Sequence, residues 1–486
     1  MIQTIFHTTK YCNSYVYDYQ FRLSILVHPR LKKVHEILTN SENLSDIDSY
    51  YQGKYEYLKK HGFFSEPKPV NFGTVNEAMI KNNMVEVPQV VFETTDFCNL
   101  DCTYCALGSV YEGHDDRNQR KINIDQAITL LKYIFSIKHR SKRNQLYIGF
   151  FGGEPLLNGD FIREVVRISN QMGQENGINV RFNITTNATL LDKYISFFVE
   201  NQFELLISLD GNELNHSYRN FRRNKKNSFR KVIENIDAVF EKYPKYFSEK
   251  VNFNAVLHNR NSVKDIYEFI YGRYHKIPRI AELNPCDINQ NKKNLFSNMF
   301  RSLRKSEDEY INEKTNHLPH QEMLLYKELI DFLKDYSINY YISNVIDLLG
   351  SNRKYLPTAT CLPFWKKIML TTKGELTLCE KVSSCKMVIG KVDEKVDIDI
   401  KKIIDQYNCY YSCVQSKCQK CYANKSCKTC LFVMKNNNLD KLNIEEFKCD
   451  YFHDLKIFTR KLYRMLSFLE KYPEDNSFVI ENVVIV

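Results

Sequence analysis

Nowhere in this 486-residue chain does an apolar run reach the length of a membrane-spanning helix, which takes about 20 residues. The opening stretch, MIQTIFHTTKYCNSY, lacks both the basic start and the apolar segment of a secretory signal. There is no low-complexity tract and no internal repeat, so disordered and solenoid architectures are set aside. Charge of one sign is not abundant either: 68 basic against 58 acidic residues leave a net +10. Runs such as Arg219–Lys226 (RNFRRNKK) read as solvated faces, because no recognised nucleic-acid-binding motif accompanies them. A mildly basic surface can, however, attract an acidic peptide. These absences predict a soluble, cytoplasmic protein with neither a membrane nor a nucleic-acid partner.

What the chain does have in quantity is cysteine. Fifteen of them in a reducing compartment argue for metal ligands over disulfides. The remainder, 43% hydrophobic and 13% aromatic, is ordinary for a globular protein of roughly two to four domains. Cys98, Cys102 and Cys105 stand in the run DFCNLDCTYC, spaced C-x3-C-x2-C, and close a strand-like segment, VPQVVFETT. Three thiolates so close can grip three corners of a cubic iron–sulfur cluster and leave the fourth iron open for chemistry. Half a zinc site, completed by a distant histidine, is the competing reading.

C-x3-C-x2-C after a first strand resembles the signature of the radical S-adenosylmethionine (SAM) superfamily. The resemblance implies that the open iron chelates the amino and carboxylate groups of SAM and drives its reductive cleavage, with Tyr104 packed near the adenine. The second strand ends in FFGGEP, where Gly152 and Gly153 let backbone approach a ligand closely. A Gly-Gly-Glu-Pro run alone is a tight turn. By resemblance Gly152, Gly153, Glu154 and Pro155 meet the amino group of SAM. Asn187 in TTNAT, and Ser208 and Asp210 in SLDG, match family positions that contact the ribose and methionine parts; N-capping of the following helix is their alternative role. Arg219, near His216 in GNELNHSYR, is the candidate partner of the SAM carboxylate. The spacing is one residue shorter than the family's, which leaves Arg222 and Arg223 as alternatives.

Strand and helix patterns alternate from about 86 to 290. Strands VPQVVFETT, QLYIGFF, VRFNITT, FELLISL, KVNFNAVLH and PRIAELN are joined by amphipathic stretches such as IDQAITLLKYIFSIK and VKDIYEFIYGRY. This periodicity predicts an α/β fold with a parallel sheet; a partial (β/α)6 TIM-like barrel is what the resemblance implies. Sites are then expected at the carboxyl ends of the strands. Residues 1–85 are expected as a separate small domain. NSYVYDYQF and RLSILVH read as strands, LKKVHEILTN as a helix, and YYQGKYEYLKKHGFF as a second helix ending at Gly62. That order is similar to the winged-helix precursor-recognition element of peptide-modifying enzymes, with a plain structural cap as the alternative. Residues 291–355 read as a helical bridge, and 456–486 as a helix followed by a short strand.

The segment 356–455 is dense in cysteine. Cys361 is followed by twelve residues, Gly374, four more and Cys379, and then by Cys418-x2-Cys421-x5-Cys427-x2-Cys430 and Cys449. This resembles the SPASM domain of sulfatase, quinone-cofactor and peptide maturases, departing from it in the last short spacing. A zinc ribbon is the competitor, although its pairs are usually set farther apart. The resemblance implies two auxiliary [4Fe–4S] clusters, one on Cys418, Cys421, Cys427 and Cys449, the other on Cys361, Cys379 and Cys430. The run NRKYLPTAT before Cys361 holds no further cysteine. The inner cluster is therefore expected to keep an open iron or to borrow Cys385, Cys409 or Cys413, which are otherwise plain structural thiols. Cys12 and Cys286 read as ordinary buried thiols.

Together these features imply three [4Fe–4S] clusters, SAM, an electron donor such as flavodoxin or ferredoxin, and a ribosomally made precursor peptide with a leader. The expected product is an intramolecular crosslink, with thioether favoured. Formylglycine formation in a sulfatase and a non-enzymatic metal-bound regulator are the alternatives. Glu282 and Asp287, near the end of the sixth strand, are the candidate acid or base by position.

Overall fold

The computed structural model describes residues 4–40, 48–65, 69–112, 119–285, 287–313, 324–336, 355–380, 388–433, 449 and 451–473. Cys286, Cys385 and the strand expected near the end of the chain lie outside the described residues.

Three short strands, β1 (Thr4–Thr8), β2 (Ser14–Asp18) and β3 (Leu23–Leu26), pair antiparallel in chain order. Helices Pro29–Asn40 and Ser49–Lys60 follow, and they pack on each other through Leu31, Val34 and Tyr55. The second helix ends as expected at Gly62, whose φ of +91° suits only a residue without a side chain. This region packs against later parts of the chain. Ile5, Tyr17 and Tyr19 share one apolar cluster with Phe458, Leu462 and Met465 of the helix Leu455–Lys471, and with Tyr422 of the cysteine-rich segment. Alternation along β1 and β2 leaves an apolar face that the two local helices cannot cover, and the later helix covers it.

Six further strands, β4 (Gln89–Thr95), β5 (Gln145–Gly152), β6 (Asn179–Thr186), β7 (Glu204–Ser208), β8 (Val251–Leu257) and β9 (Arg279–Glu282), pair in parallel and in sequence. Each crossover is helical: Ile124–Lys138, Gly159–Asn176, Ile195–Glu200, Phe229–Lys242 with Pro244–Lys250, and Val263–Tyr274. One face of these strands is apolar and fully buried, as at Val90, Phe92, Leu146, Ile148, Ile207 and Phe253. Each such side chain contributes about 1.5–3 kcal/mol. The intervening positions include Glu93, Asn183, Asn252 and Asn254. The opposite face is therefore polar in places, unlike the near-continuous apolar strands expected, and it can face a hydrophilic ligand.

The sheet does not stop at β4. Four strands of the cysteine-rich segment extend it: β10 (Ile368–Leu370), β11 (Glu375–Thr377), β12 (Val388–Val392) and β13 (Val396–Asp397). β10 lies parallel to β4, with Ile368 beside Val90 and Leu370 beside Phe92. Gly374, φ +75°, makes the β10–β11 turn, which explains why a glycine stands between Cys361 and Cys379. The hairpin reverses the chain so that Lys367 meets Glu380 at 2.7 and 2.9 Å. No helix of the described residues is long and apolar enough to cross a membrane.

Candidate cluster and cofactor site at the strand ends

Cys98, Cys102 and Cys105 occupy the loop that follows β4, and all three are half-buried. The loop is stitched to the segment after β7: Asp101 N–H donates to Asn220 O at 2.8 Å and Thr103 N–H to Tyr218 O at 3.2 Å. The three thiols are close enough to act on one another electrostatically. Burial, with the nearby Glu154 adding, pushes the Cys98 thiol up to about 12. Its sulfur accepts from Leu100 N–H at 3.4 Å and Asn187 Nδ2 at 3.7 Å, both favouring a thiolate. Among the described residues no three His, Cys, Asp or Glu side chains converge tightly enough to hold one ion. Three thiols on one short loop could each take a different iron of a cubane, so this donor set fits an iron–sulfur cluster with one open iron.

The glycines of FFGGEP serve the loop first. A Cβ on Gly152, φ +132°, would fall 2.3 Å from Thr95 O, and one on Gly153 would fall 2.0 Å from Phe97 O. Their absence lets Gly153 N–H reach Thr95 O and Glu154 N–H reach Phe97 O, both at 2.9 Å. The end of β5 is thereby clamped onto the cysteine loop. Glu154 itself is buried, and its carboxylate accepts from Leu156 N–H (3.2 Å), Thr186 Oγ1 (2.7 Å) and Asn187 N–H (2.7 Å). Burial raises it to about 7 against those three donors. Pro155 begins the short turn that Glu154 caps.

Asn187 links the third strand end to the cysteine loop. Its Nδ2 donates to Asn99 Oδ1 at 2.9 Å, and its Oδ1 accepts from Thr189 N–H at 3.0 Å. The latter is an Asx turn, not the cap of a helix. Ser208 closes β7. Asp210, fully buried, is gripped bidentately by Arg219 Nε and a terminal nitrogen at 2.9 and 3.0 Å. It also accepts from Val256 N–H at 3.0 Å and from the Tyr104 hydroxyl. Burial alone would raise Asp210, but Arg219 and His258 outweigh it and hold it well below the usual carboxylate range. Arg219 thus has an internal carboxylate in its grasp. Arg222 is exposed and donates to Cys98 O at 3.1 Å, while Arg223 is exposed.

Sequence reasoning missed His258. It is buried and stacks on Tyr104 with centroids 5.4 Å apart, its Nε2 3.8 Å from Asp210. Its signal was its place just past the fifth barrel strand, in VLHNR. Glu282, exposed, accepts from Leu303 N–H at 2.6 Å and so caps the helix Leu303–Glu313; among the described residues no hydrogen bond or ion pair links it to the cysteine loop. Asp287 sits at φ +54° and its carbonyl holds Glu112 N–H at 2.8 Å.

The C-terminal cysteines form two neighbourhoods. Cys418 senses Cys421, Cys427 and Cys449. Cys361 and Cys430 lie together beside Tyr407 and Tyr411, and Tyr407 Oη donates to Cys361 O at 3.0 Å. Cys379, also half-buried, packs on the large core, as do Cys418, Cys430 and Cys449. Of the spare thiols Cys409 is exposed on the helix Ile400–Cys418, whose buried face is Ile403, Tyr407, Tyr410, Tyr411 and Val414. Cys12 is exposed, not buried.

The radical SAM superfamily matches residues 92–270 of this chain. A cysteine-type anaerobic sulfatase-maturating enzyme of Clostridium novyi is 27% identical over 320 residues, covering 64% of this chain and 78% of that protein. The radical SAM cyclopropyl synthase TigE of Paramaledivibacter caminithermalis is 24% identical over 213 residues, 41% of this chain and 42% of that protein. The solved structure of native anSMEcpe with bound AdoMet and the Kp18Cys peptide has a similar fold, with TM-score 0.52 and 19% identity, covering 82% of this chain and 100% of that one.

Proposed function

We infer, for a chain that carries a radical SAM domain over residues 92–270, that it is an enzyme modifying a ribosomally made precursor peptide. The observation that carries this reading is the clamp at the strand ends, where Gly153 and Glu154 lie against the loop of Cys98, Cys102 and Cys105. When bound, a [4Fe–4S] cluster on these thiolates and SAM supply a 5′-deoxyadenosyl radical that removes hydrogen from substrate. The chain's part is to hold and to shield. Glu154, poised near neutrality by burial, is the group to receive the cationic amino end of SAM. Asn187 and Ser208 present polar atoms at adjacent strand ends, and Tyr104, held by Asp210, offers an aromatic face.

The two C-terminal cysteine neighbourhoods support a second and a third [4Fe–4S] cluster in a SPASM-like arrangement, reduced through a flavodoxin- or ferredoxin-type donor. An intramolecular thioether is the product this reading favours, because NRKYLPTAT brings no fourth cysteine to the group of Cys361, Cys379 and Cys430. A folded unit of three strands and two helices ahead of residue 65 supports a leader-bearing peptide, with the winged-helix likeness as its rationale. Formylglycine formation is the second reading, favoured by the sulfatase-maturase relative that shares most of its length with this chain.

Anaerobic co-expression with the small open reading frames beside the gene, followed by tandem mass spectrometry, tests both. A product lighter by two hydrogens whose fragments stay joined is expected. A product captured by a hydrazide as an aldehyde would replace the crosslink with formylglycine. Failure of the reconstituted enzyme to release 5′-deoxyadenosine would overturn both.

A further inference from the structure

Away from the strand ends, a groove of about 640 Å³ opens between one end of the N-terminal sheet and the helix Leu455–Lys471. Its size is that of a ligand site for a few residues of peptide. The end of β1 and the start of β2 form the floor, where His7 pairs across from Tyr15 and the two rings stack at 5.7 Å. On one wall stand Lys456, Thr459, Arg460 and Tyr463, spaced i, i+3, i+4, i+7 and hence on one helix face. The opposite face of that helix, through Phe458, Leu462 and Met465, is sealed into the core. Lys32 stands on the other wall.

Two observations mark this groove as built for a partner. The first is charge. Lys456 and Arg460 are exposed and enter no ion pair among the described residues, and Lys32 has only a surface contact with Glu36 at 3.5 Å. The second is His7, only 8% exposed, with neither ring nitrogen hydrogen-bonded. Buried polar atoms are nearly always satisfied, so an imidazole with no protein partner on the groove floor points to a ligand that supplies one. Burial holds His7 down at about 4, with Glu470 opposing, so near neutral pH its ring offers one donor and one acceptor. A polypeptide backbone supplies both kinds of partner, a C=O from one peptide unit and an N–H from another. A free inorganic anion supplies acceptors only.

We propose that this groove binds an acidic stretch of polypeptide, its backbone groups partnering His7 and its carboxylates meeting Lys456 and Arg460. The proposal rests on the reading that the substrate is a peptide, and it names the composition of the segment that docks. The neighbouring Tyr19 packs on Tyr422 and donates to Asn424 Oδ1 at 2.5 Å. A segment seated in the groove is thereby anchored to the same body that carries Cys421 and Cys427.

The test is anisotropy of a dye-labelled dodecapeptide alternating Glu with aliphatic residues, titrated with the full-length protein, against a Lys-for-Glu control. The acidic peptide should bind, more weakly as salt rises, and the control should not. Lys456→Glu/Arg460→Glu should weaken binding about tenfold or more, whereas Lys401→Glu/Lys402→Glu on a distant exposed helix end should not. His7→Phe keeps the ring's bulk and should weaken binding about fivefold, a loss of the order of one hydrogen bond. Equal binding of the control, or indifference to Lys456→Glu/Arg460→Glu, would overturn the proposal, and those surface variants do not threaten the fold. Release of 5′-deoxyadenosine by the reconstituted enzyme without peptide is read separately, so a failed groove and a failed radical chemistry give different results.

Discussion

The strand-end site and the N-terminal groove treat charge in opposite ways. At the strand ends Asp210 and Arg219 are almost wholly buried and satisfy each other bidentately. Glu154 is buried too, and three donors meet its carboxylate. In the groove Lys456 and Arg460 stand in solvent and enter no ion pair among the described residues, and the buried His7 ring has no hydrogen-bond partner. A closed network fixes geometry before any ligand arrives. An open one leaves its free energy to be recovered when a partner binds. The difference teaches that chemistry here is placed on the preorganised side and selection of a partner on the unsatisfied side.

The contrast is broken most directly at Arg219. Arg219→Ala leaves the Asp210 carboxylate buried with Tyr104, Val256 N–H, His258 and His216 around it but without its guanidinium, and should cost about 3–5 kcal/mol of stability. Asp210→Asn/Arg219→Ala should recover part of that, because no buried charge is left alone. Arg230→Ala removes an exposed pairing with Glu213 at 3.3 Å and should cost about 0.5 kcal/mol or less. Urea unfolding of the three variants decides. Equal costs for Arg219→Ala and Arg230→Ala would mean that the strand-end network is no more preorganised than the surface.

A smaller effect is expected from pH. Glu154 is raised by burial from an ordinary 4.5 to about 7. Between those values the folded protein binds more protons at this site than the unfolded chain. Its contribution to stability is therefore complete below pH 4.5 and lost as pH rises through about 7. Wild type should lose about 2–3 kcal/mol over that window relative to Glu154→Gln, which cannot titrate. Unfolding midpoints at several pH values check this, and parallel profiles for the two proteins would show the Glu154 carboxylate to be better solvated than its burial implies.

Much of this molecule was legible before its structure. The six parallel strands and their helical crossovers follow from apolar periodicity, and Ile124–Lys138 and Val263–Tyr274 begin and end where their patterns do. Strands β10 to β13 were not legible. Two to five residues carry too little alternation, and β10 is a strand because β4 offers it an edge. The tie between the N-terminal sheet and the helix Leu455–Lys471 was hidden likewise, since their partnership spans most of the chain. At the site, spacing brought out Cys98, Cys102, Cys105 and the glycine clamp, because both are constraints on backbone. It did not show that Arg219 turns inward onto Asp210, or that Glu282 turns to Leu303 N–H. Side-chain direction in a loop depends on what packs against it.

The smallest change that still sharpens the comparison is Tyr104→Phe. Tyr104 is buried under His258 and Tyr218, and its hydroxyl donates to the Asp210 carboxylate, which already holds Arg219 and Val256 N–H. Removing one oxygen leaves the ring stacking intact and the carboxylate with its remaining donors, so no buried group is orphaned outright. The expected cost is about 1.5–2 kcal/mol, at the low end for a hydrogen bond to a charged group. If the network acts as a unit, Tyr104→Phe and Asp210→Asn should cost less together than the sum of their separate effects, by about 0.5 kcal/mol or more. Strict additivity would mean that Tyr104 is held by its packing alone, and that the hydroxyl adds no preorganisation to the face it presents at the strand ends.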